Sequence, residues 1–266
     1  MKLNIVPART GILWVKLGIQ TFLRQPLALA GLFFMYMAAV LVLGAVPFLG
    51  PVVIMVLMPA ATLGMMVATE HAAQGRFPMP SLLVSAFRAG KQRARAMLVL
   101  GVIYALVLVA ISLLATLIFP EGISVEAVEG AAAGAPQIQV KPGFLFAGAL
   151  QLPFVVLFAH APALVHWHGV SPVKSLFFSA IAFWRNFAAF VVFGGAWLFV
   201  LVLVGFAFSL LLALLGGGVS GTLMLPVTLL VITMMATSMY FSFRDSFQVS
   251  SDEPAAPALP PEDSTP

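Results

Sequence analysis

Six stretches of this chain, residues 27–48, 51–69, 96–119, 143–165, 187–215 and 222–243, run without a single Lys, Arg, Asp or Glu. Each meets or approaches the roughly 20 apolar residues that a helix needs to cross a hydrocarbon core about 30 Å thick. Inside that core every backbone N–H and C=O must find a partner, which leaves only helices and closed barrels. Barrel strands alternate apolar and polar residues over about ten positions, whereas these runs are apolar on every side. Composition agrees: 62% of the 266 residues are hydrophobic and 8% charged, against about one quarter charged in soluble domains. The fold class is therefore all-α, a polytopic membrane protein with six transmembrane helices.

Charge sets the expected orientation. Of thirteen Lys and Arg residues, all but Lys141 fall at the amino terminus, in the second and fourth loops or near the carboxyl end, which six spans place on one side. Lys and Arg are retained in the cytoplasm, so both termini are expected to be cytoplasmic. On the other side, residues 44–51 and 216–221 form short uncharged turns rich in Gly and Pro. Residues 120–142 carry Glu121, Glu126 and Glu129 around a small-residue middle, and read as a solvated loop or a contact surface for an exported partner.

A unit recurs three times. Arg24-Gln25, Lys91-Gln92 and Arg185-Asn186 each precede a long apolar run, and Met58-Pro59, Leu152-Pro153 and Leu225-Pro226 also recur. Between the second and third lead-ins the offset is a constant 94: Ser81 falls opposite Ser175, Ser85 opposite Ser179 and Lys91 opposite Arg185. Pro59 and Pro153 share that offset. Such self-similarity implies three tandem units, each an amphipathic lead-in followed by a helical hairpin.

The first lead-in, residues 9–25, sets Ile12, Val15, Ile19, Phe22 and Leu23 against Arg9, Lys16, Gln20 and Arg24, the pattern of a helix lying in the interface. Lys16 and Arg24 interrupt any apolar core that a cleavable signal peptide would need. In the second, residues 81–95, Arg88, Lys91 and Arg95 share one side. The third, residues 172–186, is apolar on most faces and is expected to be covered by protein or sunk deeper. Arg24, Lys91 and Arg185 are accordingly the candidate contacts for lipid headgroups or other anions. Their ordinary role is attraction to an anionic leaflet, at roughly 1 kcal/mol per charge.

Ionisable groups at membrane depth mark function by default, and they are few. His160, seven residues after Pro153, is the candidate intramembrane polar site. Pro162 is expected to kink the same span and to free a backbone carbonyl. His166, His168 and Glu70 offer imidazole and carboxylate, but residues 166 and 168 point to different helix faces, and no metal site is assigned. Residues 216–221 match G-x-G-x-x-G without the preceding strand that the fingerprint requires, so no nucleotide site follows. The small residues Ala60, Gly64 and Ala68, and Ala159 with Ala163, read as packing stripes.

Nucleophile elbows, paired carboxylates at depth, zinc-protease helices and Walker loops are absent from the sequence, so the expectation is no enzyme and no cofactor. Nucleic acid is not an expected partner. The net charge of +4 combines +8 before Ser250 with −4 from Asp252, Glu253, Glu262 and Asp263. The chain thus divides into an integral membrane domain, residues 1–248, and an acidic Pro-rich tail, residues 249–266, expected to be disordered and cytoplasmic. It has no Cys, so no disulfide braces the outer loop.

The opening residues 1–11, the step Arg24-Gln25-Pro26-Leu27-Ala28-Leu29 and Gly75-Arg76-Phe77-Pro78 resemble an uncharacterised family of proteobacterial inner-membrane proteins. The likeness covers residues 1–248 and implies a bacterial inner-membrane location, with no activity to carry across. In architecture the chain is also similar to the helical membrane domains attached to some glycerophosphodiester phosphodiesterases, though without a catalytic domain.

Two functions fit this reading. One is a non-catalytic membrane-organising or accessory protein, whose basic cytoplasmic face meets anionic lipid headgroups and a protein partner or second copy. The alternative is a transporter or channel for a small solute or lipid, its path lined by the proline-containing second, fourth and sixth spans.

Overall fold

The computed structural model describes residues 2–129, 136–214 and 224–248. Its helices are α1 (Thr10–Arg24), α2 (Pro26–Gly44), α3 (Leu49–Ala73), α4 (Ser85–Arg88), α5 (Lys91–Ile118), α6 (Pro142–Ala159), α7 (Ala161–His168), α8 (Pro172–Arg185), α9 (Phe187–Leu214) and α10 (Met224–Ser246). Six membrane spans are long and apolar enough to cross a bilayer: α2, α3, α5, α6 continued by α7, α9 and α10. The all-α polytopic class is thereby established. The acidic tail and the turn at 216–221 lie outside the described residues.

A short lead-in followed by two long helices occurs three times in the element order, and the lead-ins interlock the bundle. Helix α1 lies against α9 and α10, the segment 80–88 against α3, and α8 against α6 and α7. Each lead-in thus rests on the hairpin before it, the first resting on the last. Strands β1 (Lys2–Leu3) and β4 (Phe247–Gln248) pair antiparallel, Lys2 with Gln248 and Leu3 with Phe247, so the two ends of the described chain meet at one end of the bundle.

Helix α1 is more than an interfacial helix. Gly11, Trp14, Val15, Gly18, Thr21 and Phe22 are buried, while Ile12 and Leu23 face outward as lipid contacts and Lys16, Gln20 and Arg24 stay exposed. The expected single apolar stripe is therefore split into a protein face and a lipid face. Gly18 decides the first: a Cβ there would run into the main chain of Ser238 on α10, and its carbonyl accepts the Thr237 hydroxyl at 3.1 Å. Close backbone approach with small residues is how helices associate where lipid is as apolar as the side chains.

The second lead-in is not one helix. Pro80–Val84 is 3-10 and α4 is a single turn. Gly90, at φ +100 and ψ 156, then breaks the chain before α5, in a conformation that only glycine adopts freely. Arg88 therefore belongs to a different element from Lys91 and Arg95, and the three do not form one helical face. Helix α8 of the third lead-in buries only its small residues, Ser175, Ser179 and Ala182. Phe177 and Trp184 face outward, so α8 is half covered rather than enclosed.

Residues 120–142 are not all loop. Strands β2 (Val125–Glu129) and β3 (Pro136–Val140) pair antiparallel in register from Val125–Val140 to Glu129–Pro136. Backbone pairing ties residues 125–129 to 136–140 without any disulfide.

Candidate functional site

Polar side chains buried in the bundle gather around the break between α6 and α7. Pro162 lacks the N–H that would continue the ladder, and its ring presses on the carbonyl four residues back. The chain opens at His160, which sits at φ −111 and ψ −10 between the two helices. An unbroken helix would bond the His160 N–H to the Val156 carbonyl. Instead the Ser179 hydroxyl, brought in by α8, accepts from the His160 N–H at 3.2 Å and donates to the Val156 carbonyl at 2.8 Å. A hydroxyl inserted into an interrupted ladder is a recognised cause of a kink. The expected kink is present, and α8 closes the gap that it opens.

The His160 side chain points inward and is 1% exposed. Its Nε2 lies 3.0 Å from the Ser242 hydroxyl on α10, and that hydroxyl donates its one proton to the Met239 carbonyl at 2.8 Å. With that proton so placed, Nε2 is the donor to the Ser242 oxygen. Phe190, Phe243 and Phe247 surround it at ring distances of 5.6 to 5.8 Å. Apolar walls with one hydrogen bond anchor the imidazole.

Helix α10 buries five hydroxyls, Thr233, Thr237, Ser238, Ser242 and Ser246. Thr233 donates to the Leu229 carbonyl and Ser238 to Met235, at 2.7 and 2.6 Å, and Thr237 shares its one proton between the Met234 carbonyl at 2.7 Å and that of Gly18 at 3.1 Å. Ser238 also accepts from the Trp197 indole at 3.1 Å. Thr233, Thr237, Ser238 and Ser242 are thus used within the fold, while the Ser246 hydroxyl is buried without a partner among the described residues. Pro153 and Pro226 are exposed on the outer surface, while Pro59 is buried.

The second cluster lies where the chain ends meet. Asn186, 2% exposed, accepts the Val6 N–H at 2.8 Å and donates to the Asn4 carbonyl at 3.0 Å. The Trp14 indole donates to Asp245 Oδ2 at 3.0 Å, Asn4 Nδ2 donates to the Asp245 carbonyl at 3.1 Å, and Arg244 pairs with the other Asp245 oxygen at 2.9 Å. Gln25 Nε2 donates to the Arg76 carbonyl at 3.3 Å. In both steps the amide is the clamp, each fixing the segment that precedes the next lead-in.

The neighbouring basic residues behave differently. Arg24, Lys91 and Arg185 are all exposed, and none bonds or pairs with another described residue. They mark three separate helix junctions rather than one central site. Among the described residues no three of His, Asp and Glu gather closely enough to hold a metal. Sequence reasoning noted Ser179 and Asn186 only as repeat markers and gave Asp245 no role. Their placement after Pro153 and beside Arg185 was the available signal.

An inner-membrane location follows from the six apolar spans taken together with one relative. The chain is 34% identical over 268 residues to a probable inner membrane protein of Burkholderia thailandensis, across 98% of each chain. It belongs to that family. No family model and no solved structure matches. The resemblance to proteobacterial inner-membrane proteins is thereby borne out, and the chain is a multi-pass protein of that membrane.

Proposed function

We propose that this protein is a non-catalytic membrane-organising or accessory protein, acting through the basic end of its bundle, with both termini cytoplasmic. The observation that carries the reading is charge asymmetry on a consolidated surface. Every Lys and Arg but Lys141 belongs to segments at one end, where β1, β4, Asn186 and Gln25 tie the amino terminus, the 74–79 segment and α10 together. A rigid cationic rim is suited to anionic headgroups and to acidic partner surfaces. Sealing of His160 by three phenyl rings, and the outward position of Pro153 and Pro226, count against a transport path along the second, fourth and sixth spans.

The test is cross-linking in cells followed by purification of the tagged full chain. A reproducible protein partner or second copy is expected, and its yield should fall several-fold when Arg24, Lys91 and Arg185 are changed to Gln. Solute flux in proteoliposomes, abolished by His160→Ala at unchanged abundance, would overturn the reading in favour of transport.

A further inference from the structure

Gln25 and Asn186 each bond the backbone segment that leads into the next unit. Gln92 occupies the corresponding place in the second lead-in and faces the segment Gly169–Pro172, but bonds to no described residue there. A cleft of about 430 Å³ lies between them instead. One of three comparable junctions is open.

Its chemistry is specific. Arg93 and Arg95 line the cleft, flanking the face that carries Gln92, Ala96 and Val99. Across it, Ser171 and Pro172 begin α8, while α5 begins beside the arginines. Neither helix has an acidic residue in its first turn, and neither N-cap makes a side-chain cap bond, so free N–H groups and positive helix ends add to the arginine charge. Among the described residues no carboxylate lines the cleft. Below Arg95 on the same face of α5, Val99, Val102, Leu106 and Leu113 are exposed in a continuous apolar row.

Two forked guanidiniums beside unsatisfied N–H donors suit a phosphate group, and an apolar row leading away from it into the membrane suits an acyl chain. We infer that the cleft between the start of α5 and the α7–α8 junction binds an anionic phospholipid, its phosphate between Arg93 and Arg95 and a chain along Val99, Val102 and Leu106. This deepens the organising reading and rests on it only for placing this end in the anionic leaflet.

The experiment is native mass spectrometry of the purified full-length protein, titrated with phosphatidylglycerol, with phosphatidylcholine of the same chains, and with inorganic phosphate. One phosphatidylglycerol should be retained at least about tenfold more tightly than phosphatidylcholine. The preference should be lost in the double variant Arg93→Gln and Arg95→Gln, and kept in Arg24→Gln with Arg185→Gln. Equal retention of the two lipids by the wild-type protein would overturn the inference without any variant. So would equal loss in both double variants, which would mean diffuse surface charge, or binding of inorganic phosphate without preference for the lipid, which would mean a soluble anion. A wild-type protein that retains no lipid but captures its cross-linked partner would fail this site alone; one that retains the lipid but captures no partner would fail the organising reading alone.

Discussion

Helix α3 and the α6–α7 span match at a sequence offset of 94, yet they receive the segments that follow them by different means. At the offset of 94, Gly64 corresponds to Phe158, Met66 to His160, Ala68 to Pro162 and Ser85 to Ser179. Helix α3 runs unbroken past Met66, and it admits the 80–88 segment by having no side chain at Gly64, where a Cβ would meet the Leu83 main chain. The α6–α7 span keeps Phe158 and opens its backbone at His160, and the Ser179 hydroxyl fills the gap. Ser85, with no break to bridge, is left with its Oγ buried and unbonded. One proline therefore decides whether an equivalent serine is structural. A helix in a bilayer can be approached closely by removing a side chain or by opening the ladder, and this chain does both.

The largest effect should come from closing the first route. Gly64→Leu forces a side chain into the Leu83 backbone, and overpacking of that kind costs about 3 kcal/mol or more. Phe158→Leu at the matching position should cost well under half as much. Thermal unfolding in detergent, followed by tryptophan fluorescence, measures both, and similar losses would break the comparison.

Opening the second route comes next. Ser179→Ala strands the His160 N–H and the Val156 carbonyl and should cost about 1–3 kcal/mol, whereas Ser85→Ala should lie within roughly 0.5 kcal/mol of neutral. A double-mutant cycle sharpens this further. Pro162→Ala removes the ring that holds the ladder open and lets the His160 N–H reach the Val156 carbonyl, so the cost of Ser179→Ala in that background should drop by at least about 1 kcal/mol; an unchanged cost would mean that the serine does not serve the break.

The smallest effect should be His160→Met, which installs the side chain found at the matching place in α3. Ser242 keeps its bond to Met239, so the loss is one hydrogen bond, about 1 kcal/mol. A loss of several kcal/mol, at an unchanged oligomeric state, would show that the imidazole does more than anchor α10.

The parts of this fold that the bilayer dictates were legible in the sequence. Lipid imposes its own solvent rule on each span separately, so six uncharged runs and the proline at 162 could be read one residue at a time. What depends on partners could not. The buried face of α1 is defined by Gly11 and Gly18 against α9 and α10, and nothing in residues 10–24 names those helices. In the steps Arg24-Gln25 and Arg185-Asn186 the charge drew notice, but the amide makes the contacts, because a guanidinium at this boundary is satisfied by water and headgroups while a half-buried amide must find a backbone. The β2–β3 pairing did leave a trace, the alternation Gln137-Ile138-Gln139-Val140, too short to separate from a loop.

The pairing of β1 with β4 and the packing of α1 on α9 and α10 also carry a consequence for synthesis. The first helix made finds most of its protein partners in the last two made. Until those emerge, Trp14 and the glycines beside it have only lipid and water to face, and Asp245 has not yet arrived to take the indole proton. Completion of the chain is thus a condition for its beginning to be folded, and a truncated product would display at its amino end the same surface that a membrane quality-control protease could recognise as unfinished.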